Sequence, residues 1–270
     1  MKMLLLATAL VGSLAPQEPG GTALAGSPAV DTADDAAFAR TRAAVPWGPG
    51  ERAEYELATG VFGNVGDGFL EVDGIEDIRG HDTYHIQLGV KGSVLFGAFK
   101  LEDRFQTWMD VNTLAARRFQ KNQVEDDFVR NRTYDFYPEN LTWHWVERDR
   151  SGFLPSKEPL DEVSMLFLVR TLPLKVGETY TFNRYFQSED NPVRIEVVRK
   201  ERVKVPAGEF DTIVVRPIIK TDGIFGEESE LEVYFSDDER RILVQMKSKA
   251  PWVRSLHLKL TNYRPGKKLS

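Results

Sequence analysis

The chain has 270 residues, 41% hydrophobic and 28% charged, a balance that supports a sizeable buried core in one large domain or two small ones. Its formal net charge of −6 argues against a nucleic-acid or anionic-membrane surface, which needs a basic patch or stripe to displace counterions. Cysteine is absent, so no disulfide frames the fold, no thiol serves as nucleophile or metal ligand, and no lipid-modified cysteine follows a leader.

Residues 1–25 read as an export signal, with Lys2 before an apolar run from Leu4 to Val11 and small residues suited to cleavage after Ala15 or Ala25. The apolar run is shorter than the ~20 residues of a spanning helix, and no later segment is long or apolar enough to span. The expected destination is the periplasm or the medium, without a lipid anchor. Residues 26–44 have almost no large apolar side chains and are expected as a flexible lead-in, with at most a short helix from Asp35 to Ala44.

From Val45 the pattern changes to period two, which places successive side chains on opposite faces of a strand. Ala53, Tyr55 and Leu57 form one such set, and Tyr84, Ile86, Leu88 and Val90 another. Gly60 to Gly68 reads as a hairpin loop, and Ser93 to Phe99, apolar at consecutive positions, as a rim loop, a lid or a strand buried on both faces. Leu141, Trp143 and Trp145 alternate again. Pro159 to Pro173 breaks the pattern with an acidic start, an apolar body and a terminating proline, which predicts a buried helix over about 160–172. Alternation resumes at Val193, Ile195 and Val197, then at Leu231, Val233 and Phe235, and at Leu256, Leu258 and Leu260. Between them Val205 to Pro217 reads as a register-setting hairpin, with Pro206 fixing φ, Gly208 taking a positive φ and Pro217 marking an edge or bulge. The expected fold is mainly β: an antiparallel curved sheet, or an open or half β-barrel, with one buried helix, as a single domain over 45–265. Glu, Lys and Arg on one face of many strands argue against a lipid-facing barrel.

Taken in order, Val45 to Tyr55, Asp161 to Leu172 with Arg170, Gly177-Glu178 and the Val205 to Pro217 turn resemble an exported bacterial family, domain of unknown function 3108. The resemblance spans about Val45 to Tyr263. It implies an exported, sheet-dominated curved barrel and brings no catalytic residues. By looser analogy such half-barrels resemble the periplasmic lipoprotein-localisation carriers, whose concave apolar face holds acyl chains.

Reactive constellations are not found. The four histidines are His81, His85, His144 and His257, and His81 and His85 lie about 13 Å apart on a strand face, too far for one ion, so no metal or cofactor is expected. Glu125-Asp126-Asp127, Glu189-Asp190 and Asp237-Asp238-Glu239 read as solvated hairpin ends rather than paired catalytic carboxylates. No Gly-x-Ser-x-Gly, Ser-x-x-Lys or phosphate loop is present. Arg117, Arg118, Arg130, Arg132, Arg148 and Arg150 read as partners of Glu125, Asp126, Glu147 and Asp149 across the outer face, or as an anion site.

The aromatic residues carry the remaining signal. Phe105, Trp108, Phe128, Trp143, Trp145 and Phe167 are the candidate lining of a cavity for a lipid-like or apolar ligand, with core packing as the plainer alternative. The sequence therefore points to a non-enzymatic envelope protein that binds or carries such a ligand. The alternatives are an interaction protein with a solid core that docks an envelope partner, and a hydrolase whose acid and base the sequence does not reveal.

Overall fold

The computed structural model describes residues 45–94, 99–125, 128–219, 230–250 and 254–269. The export signal, the lead-in, most of the Ser93 to Phe99 run, and Asp126 and Asp127 lie outside the described residues.

Among the described residues, fourteen strands form one antiparallel sheet. The strands β1 (Arg52–Thr59), β2 (Gly63–Asp77), β3 (Asp82–Val94), β4 (Phe99–Asp110), β5 (Ala116–Glu125), β6 (Phe128–Tyr137), β7 (Thr142–Trp145) and β8 (Arg150–Phe153) run as a meander. The helix α1 (Glu162–Val169) follows, and then β9 (Thr179–Phe182), β10 (Val193–Val205), β11 (Gly208–Ile218), β12 (Glu232–Ser236), β13 (Leu243–Ala250) and β14 (Arg254–Arg264) form a second meander. Pairing of β1 with β14 joins the two, so β8 and β9 are the edges and the ladder does not close. The segments beyond these edges meet: Leu160 forms a parallel bridge with Tyr185, its amide donating to the Arg184 carbonyl at 2.7 Å and its carbonyl accepting from the Phe186 amide at 3.0 Å, Arg184 Nε donates to the Glu158 carbonyl at 2.7 Å, and Ser188 Oγ donates to the Phe153 carbonyl at 3.0 Å. No helix among the described residues is long and apolar enough to cross a membrane.

The expected helix is present, but shorter. Asp161 caps it, accepting from the Val163 and Ser164 amides at 2.8 and 2.9 Å, while Ser164 Oγ accepts from the Asp161 amide at 2.8 Å. This reciprocal box satisfies donors that a buried helix end would otherwise leave bare. All eight helical residues are buried, as an apolar surface on every side demands. At the other end the Arg170 guanidinium holds the buried Glu51 carboxylate at 2.7 and 3.2 Å, and Trp47 packs edge-on against Phe167 at 4.9 Å. Thus α1 is tied to the beginning of β1 across the core.

The second hairpin reading is borne out: Val205 pairs with Gly208 across Pro206-Ala207, and Gly208 sits at φ 131°, a conformation that side chains with a Cβ rarely adopt. Pro217 pairs with Ile195 of β10 but lies past the last β11–β12 pair, Val215 with Val233, where its missing amide costs no ladder bond. The Gly60 to Gly68 hairpin loop is present but shorter, Gly60 to Phe62 turning β1 into β2. Residues from Gly63 onward are strand, and Gly66 lies so close to β3 that a Cβ there would meet the Lys91 carbonyl oxygen at 2.0 Å. That glycine serves close strand packing rather than a loop.

Candidate functional site

The inner face of β3 to β7 forms a regular lattice set by strand register. One row runs Ile86, Thr107, Phe119, Tyr134, Trp145; the next Leu88, Phe105, Lys121, Arg132; the next Val90, Asp103, Gln123, Arg130. The first row is aromatic and apolar apart from Thr107, whose Oγ1 donates to the Asp161 carboxylate of the α1 cap at 2.6 Å. The other two combine apolar residues with charged and amide side chains, and Asp103, Lys121, Gln123 and Arg132 are all buried. Groups of this kind are rarely buried unless they are paired or serve a ligand.

Two polar atoms on this face lack a partner among the described residues. Lys121 Nζ contacts Glu162 Oε1 at the first turn of α1, and Gln123 Nε2 donates to Asp103 Oδ2 at 3.4 Å. Gln123 Oε1 and Trp145 Nε1 are buried and have no hydrogen-bond partner among the described residues. Burial, and then the Glu162 carboxylate, raise the Tyr185 phenol well above its usual range. Burial likewise pushes Tyr134 up to about 12 and lowers the Arg132 guanidinium, whose central carbon lies 5.9 Å from the Trp145 ring.

An aromatic cluster flanks these polar groups. Tyr134 lies 5.5 Å from Trp145 and 5.0 Å from Phe186, and Trp143 stands edge-on to Tyr134 and Phe186 at 6.0 and 6.3 Å. Of the six candidate lining residues, Phe105, Trp143 and Trp145 share this face, and Phe167 belongs to α1 at the Trp47 end of the core. The Phe128 backbone pairs with Glu125 on the same sheet, but its side chain lies outside the described residues. Trp108 does not line the interior. Three residues from Phe105 on one strand, it has the opposite parity, and it stacks on His85 on the outer face. Phe186 and Gln123 were missed, because neither alternates within an aromatic strand and only long-range register brings them here.

The arginines also differ from expectation. Arg117 pairs with Asp110 and Glu139, and Arg118 with Asp135, while Arg132 points inward. Glu147 instead accepts from the Thr133 amide at 2.8 Å. The register explains the exchange: Asp135 lies directly opposite Arg118, whereas Glu147 falls beyond the end of β7. His81 stands before β3 beside Asp110 and Glu139, at 3.3 and 3.5 Å, in a setting separate from that of His85.

Comparison with known proteins identifies the fold and the family but not an activity. No curated protein matches the chain. A β-barrel-like protein of domain of unknown function DUF1849 from Brucella abortus is similar with a TM-score of 0.56 at 13% identity, covering 83% of this chain and 100% of that one. The hypothetical protein CT021 from Chlamydia trachomatis scores 0.37 at 10% identity, covering 83% and 93%. A Bacteroides fragilis protein with a YmcC-like fold scores 0.31 at 12% identity, covering 82% and 98%. The first of these supports a shared fold, and the other two carry no argument. A family described as protein of unknown function, DUF3108, matches residues 54–259, and the chain belongs to that family.

Proposed function

We propose that the chain is an exported, non-enzymatic binding protein that takes a lipid-like, amphipathic ligand against the inner face of β4 to β7, beside the first turn of α1. One observation carries this reading: buried polar atoms without partners, Gln123 Oε1 and Trp145 Nε1, stand on the same face as an aromatic lining. An unpaired buried polar atom costs about 1–3 kcal/mol; the polar end of a ligand with apolar length offsets it at Trp145 Nε1 by accepting, and at Gln123 Oε1 where that end also carries a hydroxyl or protonated carboxyl to donate. The edges β8 and β9 do not pair with each other, and the seam between them, bridged beyond the strands at Leu160–Tyr185 and Phe153–Ser188, is where such a ligand would enter. Export is proposed from the Lys2 to Ala25 signal and fits a carrier of poorly soluble cargo.

The test is titration of the purified protein with a dansylated fatty acid, read by energy transfer from tryptophan. Saturable binding of one probe per chain is expected, with Trp145→Phe weakening it about ten-fold, as loss of one hydrogen bond to a carboxylate requires. Absence of saturable binding, or equal binding by the variant, would remove the reading.

A further inference from the structure

A second cluster, on the outer face of β2 to β4, remains outside that reading. Asp73 occupies a β-bulge in β2: Val72 pairs with Ile86 and Gly74 with His85, so Asp73 is the extra residue. The bulge brings its carboxylate to the outward side of β3, where His85 projects. There His85 Nδ1 lies 2.9 Å from Glu76 Oε1 and 3.6 Å from Asp73 Oδ2, and one ligand atom from each residue falls within 4.8 Å of the others.

The surroundings orient each of these atoms. His85 Nε2 lies 3.1 Å from Gln106 Oε1, and the Gln106 amide nitrogen is occupied, donating to Gln120 Oε1 at 3.3 Å. Gln106 Oε1 can only accept, which suits an Nε2–H donor and makes Nδ1 the ring nitrogen open to a metal ion. Trp108 stacks on the imidazole, centroids 4.5 Å apart and planes 6° from parallel, and donates Nε1–H to Glu76 Oε2 at 2.7 Å. That bond leaves Glu76 Oε1 facing the histidine. The His85 side chain is 9% exposed, and its Nδ1, although 2.9 Å from Glu76 Oε1, has no hydrogen-bond partner by geometry. His85 Nδ1 and two carboxylate oxygens thus converge on one point.

We propose that Asp73, Glu76 and His85 form a binding site for a divalent transition-metal ion, with zinc the best match. Around zinc, ligand atoms about 2.1 Å from the ion in tetrahedral array stand about 3.4 Å from each other, and the two His85 distances bracket that spacing. One nitrogen and two oxygens suit zinc better than calcium or magnesium, which take oxygen alone. Gln106 and Trp108 hold the ligands by their outer atoms, as supports of metal-bound histidine and carboxylate do. Asp73 and Glu76 are 55% and 47% exposed, so the fourth position faces solvent and is open to water or to a group from another molecule.

The experiment is calorimetric titration of the untagged, chelator-treated full chain with zinc, and separately with calcium and magnesium, followed in parallel by tryptophan fluorescence. One zinc per chain is expected, with a change in Trp108 emission that Trp108→Phe removes. His85→Ala should weaken zinc at least a hundred-fold. Asp73→Asn and Glu76→Gln, half-exposed positions that leave the core intact, should each weaken it at least ten-fold with unchanged circular dichroism. No zinc binding, tighter binding of calcium than of zinc, or undiminished binding by the two carboxylate variants would each overturn the proposal.

Discussion

Asp161 has a dual role. Its carboxylate caps α1 and accepts from Thr107, yet it is fully buried, and burial pushes its ionisation up to about 7 against the opposing hydrogen bonds from Thr107 and Ser164. In the unfolded chain an aspartate ionises near 3.9. Between those values the folded protein retains a proton that the unfolded chain has released, so this residue's contribution to stability falls as pH rises from about 4 to 7 and levels off above. Asp161→Asn keeps an oxygen for the Val163 and Ser164 amides and has no proton to lose. Urea midpoints at pH 5 and pH 8 should therefore fall further with rising pH in the wild type than in the variant, and parallel shifts would contradict the assignment. Glu232 behaves oppositely: the Arg199 guanidinium draws its carboxyl down to about 2, so its contribution is present above the usual carboxylate range and is lost as pH falls toward 2. At this scale sequence reasoning failed on parity. Trp108 is three residues from Phe105 on one strand, and the period-two rule alone separates them; the grouping by residue type overrode it.

At the scale of elements, α1 is held at both ends by groups remote in sequence. The Arg170 guanidinium binds Glu51 with two hydrogen bonds, gives another to the Arg240 carbonyl at 3.0 Å, and lies 5.2 Å from the Trp47 ring. Removing one member leaves a buried charge without its partner, which costs about 3–5 kcal/mol. Arg170→Met should lower unfolding free energy by that amount in chemical denaturation, and adding Glu51→Gln should recover part of it, because the two residues act as a unit. Independent, additive losses would argue against the coupling. The helix itself was legible from Asp161, the apolar body and Pro173, and the hairpin from Pro206 and Gly208, because both signals are local. The Gly60 to Gly68 loop was read too long because a glycine that permits close strand approach looks in sequence like one that permits a turn.

For the whole molecule, alternation and turn spacing revealed a mainly β, single-sheet chain, since each strand's two faces are written in its own residues. What they could not reveal is register across fourteen strands. Gln123 reaches the inner face opposite Asp103, Phe186 reaches Tyr134 from beyond α1, and a single bulge at Asp73 re-aims a carboxylate toward His85. The first two depend on contacts 20 and 52 residues apart and the third on a one-residue bulge within the β2–β3 hairpin, so the polar part of the candidate interior and the outer His85 cluster emerge only in three dimensions. The sheet's failure to close gives these placements their proposed use, because an edge bridged at a few points opens at less cost than a ladder. The central claim is that the inner face beside α1 holds a lipid-like ligand. Its most direct test is native mass spectrometry, with lipid extraction, of the protein purified from its own cell envelope. The account predicts one reproducible amphipathic molecule bound per chain; repeated preparations that carry none, while the protein remains folded, would contradict it.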